Sequence, residues 1–361
     1  MTKRIGVLTS GGDCAGLNAC IRSITLHATN TYGWSVFGIR KGTYGLITRP
    51  IEYTPLTPEM CDMQMMRTGG TILGSTNRDN PFCIKNPDGS EKDASLEFAK
   101  GYHDLALDAL IGIGGDGSMK ILRDLATIGN INLVGIPKTI DNDLGHTELS
   151  IGYSTALDVA TEALDRLQAT AASHQRVMVL EVMGRDAGHI ALAAGVAGGA
   201  DVVLIPEIAY SLENIYKHIQ KIKKNNRNFA LVIVAEAVKK ITGEESIIND
   251  QVHRKRYGGI GQYLGDLISQ NTGAETRVTV LGHVQRGGQP NSYDRIIASA
   301  FGVRAVDLIA ENKFDRIVAW SKREVIDTPI EDAINQYQAV KMDDVLITTA
   351  KSLGIYIGEV E

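Results

Sequence analysis

The sequence predicts an α/β fold with two doubly wound, Rossmann-like domains whose sheets are mainly parallel. Three observations support this fold class. Short β-rich runs alternate with amphipathic helical stretches, glycine-rich loops directly follow apolar runs, and the 361 residues exceed the usual length of one domain. With 43% apolar and 22% charged residues the chain can bury a large core, so a folded protein is expected.

The predicted strands are short apolar runs rich in β-branched residues. In chain order they cover residues 4–9, 35–39, 109–113, 133–136, 177–182, 202–205, 230–234 and 277–281. The clearest predicted helix covers residues 157–169, where apolar side chains recur at helical spacing on one face. Strands that alternate with helices in this way form parallel sheets covered by helices.

Composition disfavours two classes of partner. The 37 Lys and Arg residues against 42 Asp and Glu residues give a net charge of −5, so no global basic field is available to hold nucleic acid. No apolar stretch reaches membrane-spanning length, and the N-terminus lacks the long apolar region of a signal peptide. We therefore expect a cytoplasmic protein that binds small molecules. Its four cysteines lack metal or disulfide spacing and are expected to be free thiols, with Cys14 buried and inert.

Residues 135–143 carry the most informative cluster of side chains. The segment follows an apolar run at 131–134 and places Lys138, Thr139, Asp141 and Asp143 within six positions. A lysine can hold a phosphate, one carboxylate can accept a proton from an attacking hydroxyl, and another can bind a divalent metal. The alternative is a surface turn, because Pro, Asn and Asp favour turns.

Two glycine-rich loops lie between predicted strands and predicted helices. The first covers residues 10–18 and the second covers residues 114–118. Accessible backbone N–H groups at a helix N-terminus form an anion site, although either loop alone could be a tight turn without a ligand. Two such loops in one chain favour a phosphate-containing ligand.

The second loop also has G-x-G-x-x-G spacing, which raises a dinucleotide-dependent dehydrogenase as an alternative. That alternative is disfavoured because the next predicted strand ends without an acid to bind a ribose. Asp116 would also repel a bare pyrophosphate unless a cation intervened. Mg²⁺ held by Asp116, with Asp141 and Asp143 nearby, fits a metal-bridged phosphate better.

Cationic side chains recur beside the later predicted strands, namely Arg176, Arg185, Arg277, His283 and Arg286. Each arginine alone could be a solvated surface charge, and the histidine alone could be structural. Ligands of open α/β sheets bind beyond the carboxyl ends of the strands. Arginines placed there are expected to converge on one strongly anionic substrate.

With these motifs in hand, the chain resembles the phosphofructokinase family almost end to end. The resemblance rests on motifs in the family's order at residues 5–13, 69–75, 114–118, 137–143, 173–176, 183–185 and 282–290, followed by Asp294 and Arg295. It implies phosphoryl transfer with Mg²⁺ to the 1-hydroxyl of fructose 6-phosphate. The product is fructose 1,6-bisphosphate, as in glycolysis.

The resemblance also implies roles for individual residues. Asp141 would accept the hydroxyl proton, Thr139 would lie against the transferring group, and Asp116 would be linked to the metal. The implied catalytic set is Asp141, Thr139, Asp143 and Arg185. The implied donor-binding set is Gly12, Arg78, Gly115, Asp116, Gly117, Ser118 and Lys138. The implied fructose 6-phosphate set is Arg176, Met183, Gly184, Arg185, Glu236, Arg277, His283 and Arg286.

Assembly and domain organisation are implied in the same way. In the family, arginines at the places of Arg176 and Arg277 reach in from a neighbouring subunit, so a homo-oligomer is expected, either a tetramer or a dimer. Residues 1–151 with 287–340 are expected to bind the donor. Residues 152–286 with 341–361 are expected to bind fructose 6-phosphate, with the active site in the cleft between the domains.

The phosphoryl donor is where the chain departs from the family's usual pattern. Family members that use pyrophosphate usually carry an acid and a lysine at the places of Gly117 and Lys138, whereas many ATP users carry glycine at both. ATP is favoured because Gly117 leaves room for a nucleotide and a lysine excludes neither donor; pyrophosphate and ADP are the alternatives.

The chain departs from the family's usual pattern at two further places. Arg78 lies one residue beyond the usual spacing to the donor-side arginine, so Asn77 is its alternative. Arg22 is retained from the usual effector pair but Leu26 replaces the second arginine, so the usual bacterial effectors are not expected to bind.

Two other functions are considered as alternatives. They are a sugar-phosphate sensor without catalysis and a lipid or nicotinamide-nucleotide kinase with the same Gly-Gly-Asp-Gly loop. The paired carboxylates disfavour the sensor, and the arginine set disfavours the other kinases.

Overall fold

The structure, a computed structural model, describes residues 2–76, 80–85, 89–249 and 255–359. The strands are β1 (Arg4–Thr9), β2 (Ser35–Ile39), β3 (Tyr53–Leu56), β4 (Ile84–Lys85), β5 (Glu91–Lys92), β6 (Ala109–Gly114), β7 (Leu133–Pro137), β8 (Val177–Val182), β9 (Val202–Leu204), β10 (Ala230–Ala235), β11 (Ile247–Asn249), β12 (Lys255–Tyr257), β13 (Thr276–Val280), β14 (Arg316–Ser321) and β15 (Glu324–Pro329). The helices are α1 (Leu17–Tyr32), α2 (Tyr44–Ile47), α3 (Met63–Arg67), α4 (Ser95–Asp104), α5 (Asp116–Gly129), α6 (Tyr153–His174), α7 (His189–Ala197), α8 (Leu212–Lys224), α9 (Ile260–Thr272), α10 (Ser292–Ala310), α11 (Ile330–Asn335) and α12 (Val345–Ser352).

The predicted strands are confirmed as β1, β2, β6, β7, β8, β9, β10 and β13. The last of them begins and ends one residue earlier than predicted. The helix predicted at 157–169 is the central part of α6. Sequence reasoning did not identify β14, the antiparallel strands β3 and β15, or the two short hairpins β4–β5 and β11–β12.

The chain divides into two compact units. The first consists of Met1–Ile140, Leu144–Thr155 and Arg286–Tyr337, and the second of Asp141–Asp143, Ala156–Gln285 and Gln338–Glu361. The chain therefore passes from one unit to the other several times. Which ligand each unit binds stays a prediction.

The sheet of the first unit has the order β15-β14-β7-β6-β1-β2-β3. Its five central strands are parallel, and the edge strands β3 and β15 pair in antiparallel fashion. From β1 the chain adds strands in one direction through β2 to β3, and then in the other direction through β6 and β7. The direction reverses between β1 and β6, which is the place where doubly wound sheets bind ligands.

A buried apolar cluster holds this sheet against its helices. The strands β1, β6 and β7 are buried almost throughout, and Leu8, Leu110 and Leu133 from them pack with Phe98 of α4 and Leu122 of α5. These strands read as nearly continuous apolar runs because parallel strands covered on both faces have no solvent-facing side. Burial of this kind fixes the position of the loops that follow the strands.

The sheet of the second unit has the order β13-β8-β10-β9, and all of its strands are parallel. The strands β8 and β10 are fully buried, whereas the edge strand β13 is partly exposed. Glu181 of β8 is a buried carboxylate that accepts hydrogen bonds from the backbone N–H groups of Gly259 and Gly261, at the start of α9. Because an anion at a helix N-terminus is stabilised, this contact anchors α9 to the sheet.

None of the described helices has the length and apolarity needed to span a bilayer.

Asp294, in the first turn of α10, is a second buried anchor. Its side chain is only 1% exposed. Its Oδ1 accepts the Gly152 N–H at 2.9 Å, and its Oδ2 accepts the N–H and the hydroxyl of Thr155 at 2.8 and 2.5 Å. All three groups donate to the carboxylate, so both of its oxygens serve as acceptors.

We therefore expect Asp294→Asn to destabilise the fold by about 2–4 kcal/mol, since the amide would turn an N–H₂ group toward these donors. Urea unfolding followed by circular dichroism measures the loss. Asp332→Asn is the control, because Asp332 is exposed on α11 and should change stability by less than about 0.5 kcal/mol. Equal effects of the two substitutions would contradict the role of the buried carboxylate.

Candidate active site

The two glycine-rich loops meet at the carboxyl edge of the first sheet. The first loop follows β1 and the second follows β6, its neighbour in the sheet. Gly11 has φ +82°, and a Cβ built on it would lie 2.8 Å from Ser118 Oγ and 3.4 Å from Lys138 Nζ. Only glycine fits both the backbone conformation and this space. The sequence-predicted donor residues of both loops are therefore brought together with Lys138.

Lys138 follows β7 and is 4% exposed. Its ammonium group donates a hydrogen bond to the carbonyl oxygen of Gly12. A lysine held in this way places a fixed positive charge under the first glycine-rich loop. Thr139, the next residue, is also buried, and its carbonyl oxygen accepts the hydroxyl of Ser150 at 2.6 Å.

The second loop begins α5. Gly115 precedes the helix, and Asp116 is its first acidic residue, partly exposed at the positive end of the helix dipole. Gly117 is exposed, and a Cβ built on it would meet no atom within 4 Å. Open space therefore borders the second loop at Gly117, one of the two positions considered for the choice of donor.

Arg286, expected with the sugar-phosphate set, belongs to the first unit. Its guanidinium group lies against the first glycine-rich loop. Nη1 is 2.8 Å from the position that a Cβ on Gly12 would occupy, and it donates to the carbonyl oxygen of Asp13 at 3.2 Å. Gly12 thus leaves the space that this arginine fills.

In the second unit, Glu236 follows β10, and its carboxylate accepts hydrogen bonds from backbone N–H groups of the loop after β8. Its Oε1 accepts the Arg185 N–H at 3.1 Å and the Gly184 N–H at 3.4 Å. Gly184 has φ +153°, and a Cβ on it would lie 2.6 Å from the Ala187 carbonyl oxygen, so this turn requires glycine. Arg185 itself is exposed.

Burial raises the pKa of Glu236 from 4.5 to about 7. The N–H groups of Arg185 and Gly184 oppose the rise, and the negative charges of Asp141 and Glu181 add to it. Asp141 is buried, as is Asp143 two residues later, and Asn142 between them has φ +55°. The predicted base is thus electrostatically coupled to the predicted sugar-binding carboxylate within one unit.

Sequence reasoning missed Gln285. This side chain is buried, and its Oε1 accepts the Met183 N–H at 2.7 Å. The contact fixes the start of the loop that carries Gly184 and Arg185. The only signal in the sequence was its place between His283 and Arg286. His283 lies exposed in the 3₁₀ turn Gly282–Arg286, directly after β13.

Residues 4–309 match the model of the family described as phosphofructokinase. The chain belongs to the phosphofructokinase family. It is 59% identical to "ATP-dependent 6-phosphofructokinase 1" of Nostoc sp. over 358 residues, which cover 99% of both chains. It is 58% identical to the protein of the same name from Synechocystis sp., covering 99% of this chain and 98% of the relative.

Solved structures of phosphofructokinases have the same fold. The Saccharomyces cerevisiae enzyme superposes with a TM-score of 0.78 at 27% identity, and the match covers 98% of this chain and 47% of the yeast chain. The pyrophosphate-dependent enzyme of Nitrosospira multiformis superposes with a TM-score of 0.79 at 20% identity, covering 99% and 93% of the two chains. The α/β fold class predicted from the sequence is confirmed.

Two of the arginines predicted to bind the sugar phosphate lie apart from the other residues of that predicted set. Arg176 precedes β8 and Arg277 is the second residue of β13, so both lie at the amino edge of the second sheet. Met183, Gly184 and Glu236 follow β8 and β10 at the carboxyl edge. Because a strand rises about 3.3 Å per residue, the six residues of β8 separate the two groups by roughly 20 Å.

The remaining predictions concern a cysteine and the donor-side arginine. Cys14 is buried, its thiol lies 3.3 Å from the Ile151 carbonyl oxygen, and burial raises its pKa to about 12. The expected burial of Cys14 is confirmed, and all four cysteines are free. Its low reactivity stays a prediction, which the raised pKa supports. Arg78 and its alternative Asn77 lie outside the described residues.

The raised pKa of Glu236 predicts a pH-dependent stability. The folded state binds the Glu236 proton more tightly than the unfolded chain does, so this stabilisation is fully present below pH 4.5 and is lost as pH rises through about 7. The neutral Glu236→Gln variant can still accept both N–H groups. We expect its free energy of unfolding, relative to wild type, to increase between pH 5 and pH 8 by on the order of 2 kcal/mol.

Thermal unfolding of wild type and Glu236→Gln at pH 5 and pH 8 measures this difference. Glu213→Gln is the control, since Glu213 is an exposed carboxylate on α8. A constant stability difference at the two pH values would contradict the raised pKa.

Proposed function

We propose that this chain transfers the γ-phosphoryl group of ATP to the 1-hydroxyl of fructose 6-phosphate, giving ADP and fructose 1,6-bisphosphate. The family assignment and relatives named ATP-dependent 6-phosphofructokinase at 58–59% identity support the reaction. The single structural observation that supports ATP as the donor is the open space around Gly117, where an acid would repel a nucleotide.

Asp141 is proposed as the base. It accepts the proton of the 1-hydroxyl, the hydroxyl oxygen attacks the γ-phosphorus, and the bond to the bridging oxygen of ADP breaks. Phosphoryl transfer passes through a loose transition state, so positioning and charge neutralisation matter more than the strength of the base. Asp141 is buried, and its negative charge contributes to the raised pKa of Glu236 in the same unit.

The donor phosphates are proposed to lie on the glycine-rich loops. Backbone N–H groups at the N-terminus of α5 and the fixed ammonium group of Lys138 supply positive potential there. Thr139 is proposed to lie against the transferring group. Arg185 and Asp143 complete the proposed catalytic set, and Ser118 the proposed donor set.

A divalent metal fits the residues present. No group of three or more His, Cys, Asp or Glu side chains in the described parts of the chain is arranged as a metal site. Mg²⁺ in kinases is held by one or two carboxylates and the substrate phosphates, and Asp116 at the start of α5 offers such a carboxylate. When bound there, Mg²⁺ would neutralise charge on the β- and γ-phosphates.

The donor assignment predicts a selective effect of charge at Gly117. Wild type, given fructose 6-phosphate and Mg²⁺, should turn over with ATP, whereas ADP and pyrophosphate offered separately should support little turnover. Gly117→Asp should lower kcat/KM for ATP by about tenfold or more, because the added carboxylate would repel the phosphates of the nucleotide, and about 1.4 kcal/mol of repulsion corresponds to tenfold.

Gly117→Ala is the matched control, since its Cβ meets open space and adds no charge. It should retain ATP use within about threefold, a change of under 1 kcal/mol. Equal losses in the two variants would point to volume rather than charge. Turnover of the wild type with pyrophosphate alone would overturn the choice of ATP.

We also propose a homo-oligomer in which Arg176 and Arg277 act in a neighbouring chain's site. The support is their position at the amino edge of the second sheet, far from Met183 and Glu236 of the same chain. Closed symmetric assemblies repeat the same contact in every subunit, so each site would gain a partner's arginines while lending its own. A tetramer or a dimer satisfies this requirement.

Co-expression of two defective chains tests the shared site. Asp141→Asn should lower turnover by about 10²–10⁴, and Arg277→Ser should abolish activity at low fructose 6-phosphate. In random hybrids about a quarter of the sites combine an intact Asp141 with a neighbour's intact arginine, so activity should reappear. Co-expression of Asp141→Asn with Gly117→Asp should give no recovery. Failure of the first pair to recover would place Arg277 in its own chain's site.

A further inference from the structure

Glu275 lies between the two arginines at the amino edge of the second sheet. Its Oε1 is 2.8 Å from Arg176 Nη2 and 2.5 Å from Arg277 Nη2. Both guanidinium groups therefore contact one carboxylate oxygen. In the single chain the Glu275 side chain is 48% exposed.

The backbone fixes this cluster. The Glu275 carbonyl oxygen accepts the Val177 N–H at 2.9 Å, which ties it to the residue after Arg176. Arg277 pairs in register with Met178 of β8, and its Nη1 donates to the Thr276 carbonyl oxygen at 2.8 Å. The three side chains thus start from two adjacent, hydrogen-bonded strands. Their convergence follows from sheet geometry.

The carboxylate is ionised at neutral pH. The hydrogen bond from Arg176 lowers the pKa of Glu275, and the charges of Arg176, Arg277 and His174 lower it further. Two guanidinium groups within 2.8 Å of one anionic oxygen form the arrangement that binds a phosphate oxygen. The Glu275 carboxylate therefore uses the same donor groups that a phosphate oxygen would need.

We propose that Glu275 is an internal competitor of the phosphomonoester, a built-in counter-ion that fills the arginine pair and sets its affinity for the sugar phosphate. This inference rests on the proposed function, which assigns the pair to fructose 6-phosphate. A ligand can bind the two arginines only when the carboxylate has released them. The observed dissociation constant is therefore the intrinsic constant divided by the fraction of molecules in which the arginine pair is free. Removing the negative charge also leaves two adjacent cations that attract an anion more strongly.

A purely structural role would have the opposite sign. If Glu275 served mainly to hold the arginines in a productive position, its removal would let them spread and would weaken ligand binding. The direction of the change in affinity therefore separates the two roles. The split between KM and kcat provides a second criterion, because a competitor acts on binding alone.

The experiment compares Glu275→Gln with wild type at fixed ATP and Mg²⁺. We expect the KM for fructose 6-phosphate to fall by about three- to tenfold, with the change falling on KM rather than on kcat. Inorganic phosphate, tested as an inhibitor competing with fructose 6-phosphate, should show a similar fall in its inhibition constant. Glu275→Asp, which keeps the charge, should remain closer to wild type than Glu275→Gln.

Glu311→Gln is the matched control. Glu311 likewise bridges two cations, Arg304 at 2.6 Å and Lys313 at 2.8 Å, but it lies in the first unit. Its substitution should leave the KM for fructose 6-phosphate unchanged. Should Glu275→Gln fail to fold, as judged by circular dichroism, Glu275→Ser removes the same charge with a smaller side chain.

An unchanged or higher KM in the folded, charge-removing variant would overturn the proposal. If the wild type shows no turnover with fructose 6-phosphate, the proposed function fails but Glu275 can still be tested. Calorimetric titration with inorganic phosphate should then show tighter binding to Glu275→Gln than to wild type, and this gain should disappear in Glu275→Gln/Arg277→Ser. Equal or weaker phosphate binding by Glu275→Gln would again overturn the proposal.

Discussion

Two glycine-rich loops approach each other closely at the carboxyl edge of the first sheet, and this contact fixes the positions of the charged groups around them. The loops follow β1 and β6, adjacent parallel strands whose burial leaves no freedom of register. A side chain on Gly11 would collide with Ser118, and one on Gly12 would collide with Arg286. Because these positions carry no Cβ, backbone N–H groups, a buried ammonium and a guanidinium are concentrated on one small surface.

The second unit differs from the first in the charges near the carboxyl edge of its sheet. There the chain gathers carboxylates, with Glu236 receiving backbone N–H groups and lying within the fields of Asp141 and Glu181. Mutual repulsion and burial raise the pKa of Glu236. The first unit thus presents an ammonium and a guanidinium group at its glycine-rich loops, whereas the carboxyl edge of the second sheet presents buried carboxylates.

The two edges of the second sheet carry the two groups of residues proposed to bind the sugar phosphate. Residues that precede parallel strands lie at one edge of the sheet and residues that follow them lie at the other, so the length of β8 keeps Arg176 away from Met183. This separation is the reason for proposing that the site is completed by a second copy of the chain. The arginines meanwhile neutralise Glu275, which keeps two like charges stably adjacent.

Local sequence patterns were enough to predict the fold class and the buried strands. Strands such as 177–182 could be predicted because continuous apolar runs indicate burial directly. The role of Asp141, predicted from its local motif, stays a proposal. The antiparallel edges β3 and β15 could not be predicted, since edge pairing depends on which strand lies alongside. The tertiary structure was needed to find that Lys138 lies under the first glycine-rich loop, that Gln285 accepts the Met183 N–H and that Glu275 bridges two arginines. Each of these contacts joins residues on separate strands or loops, and a distance in space between such residues is not encoded in their local sequence pattern.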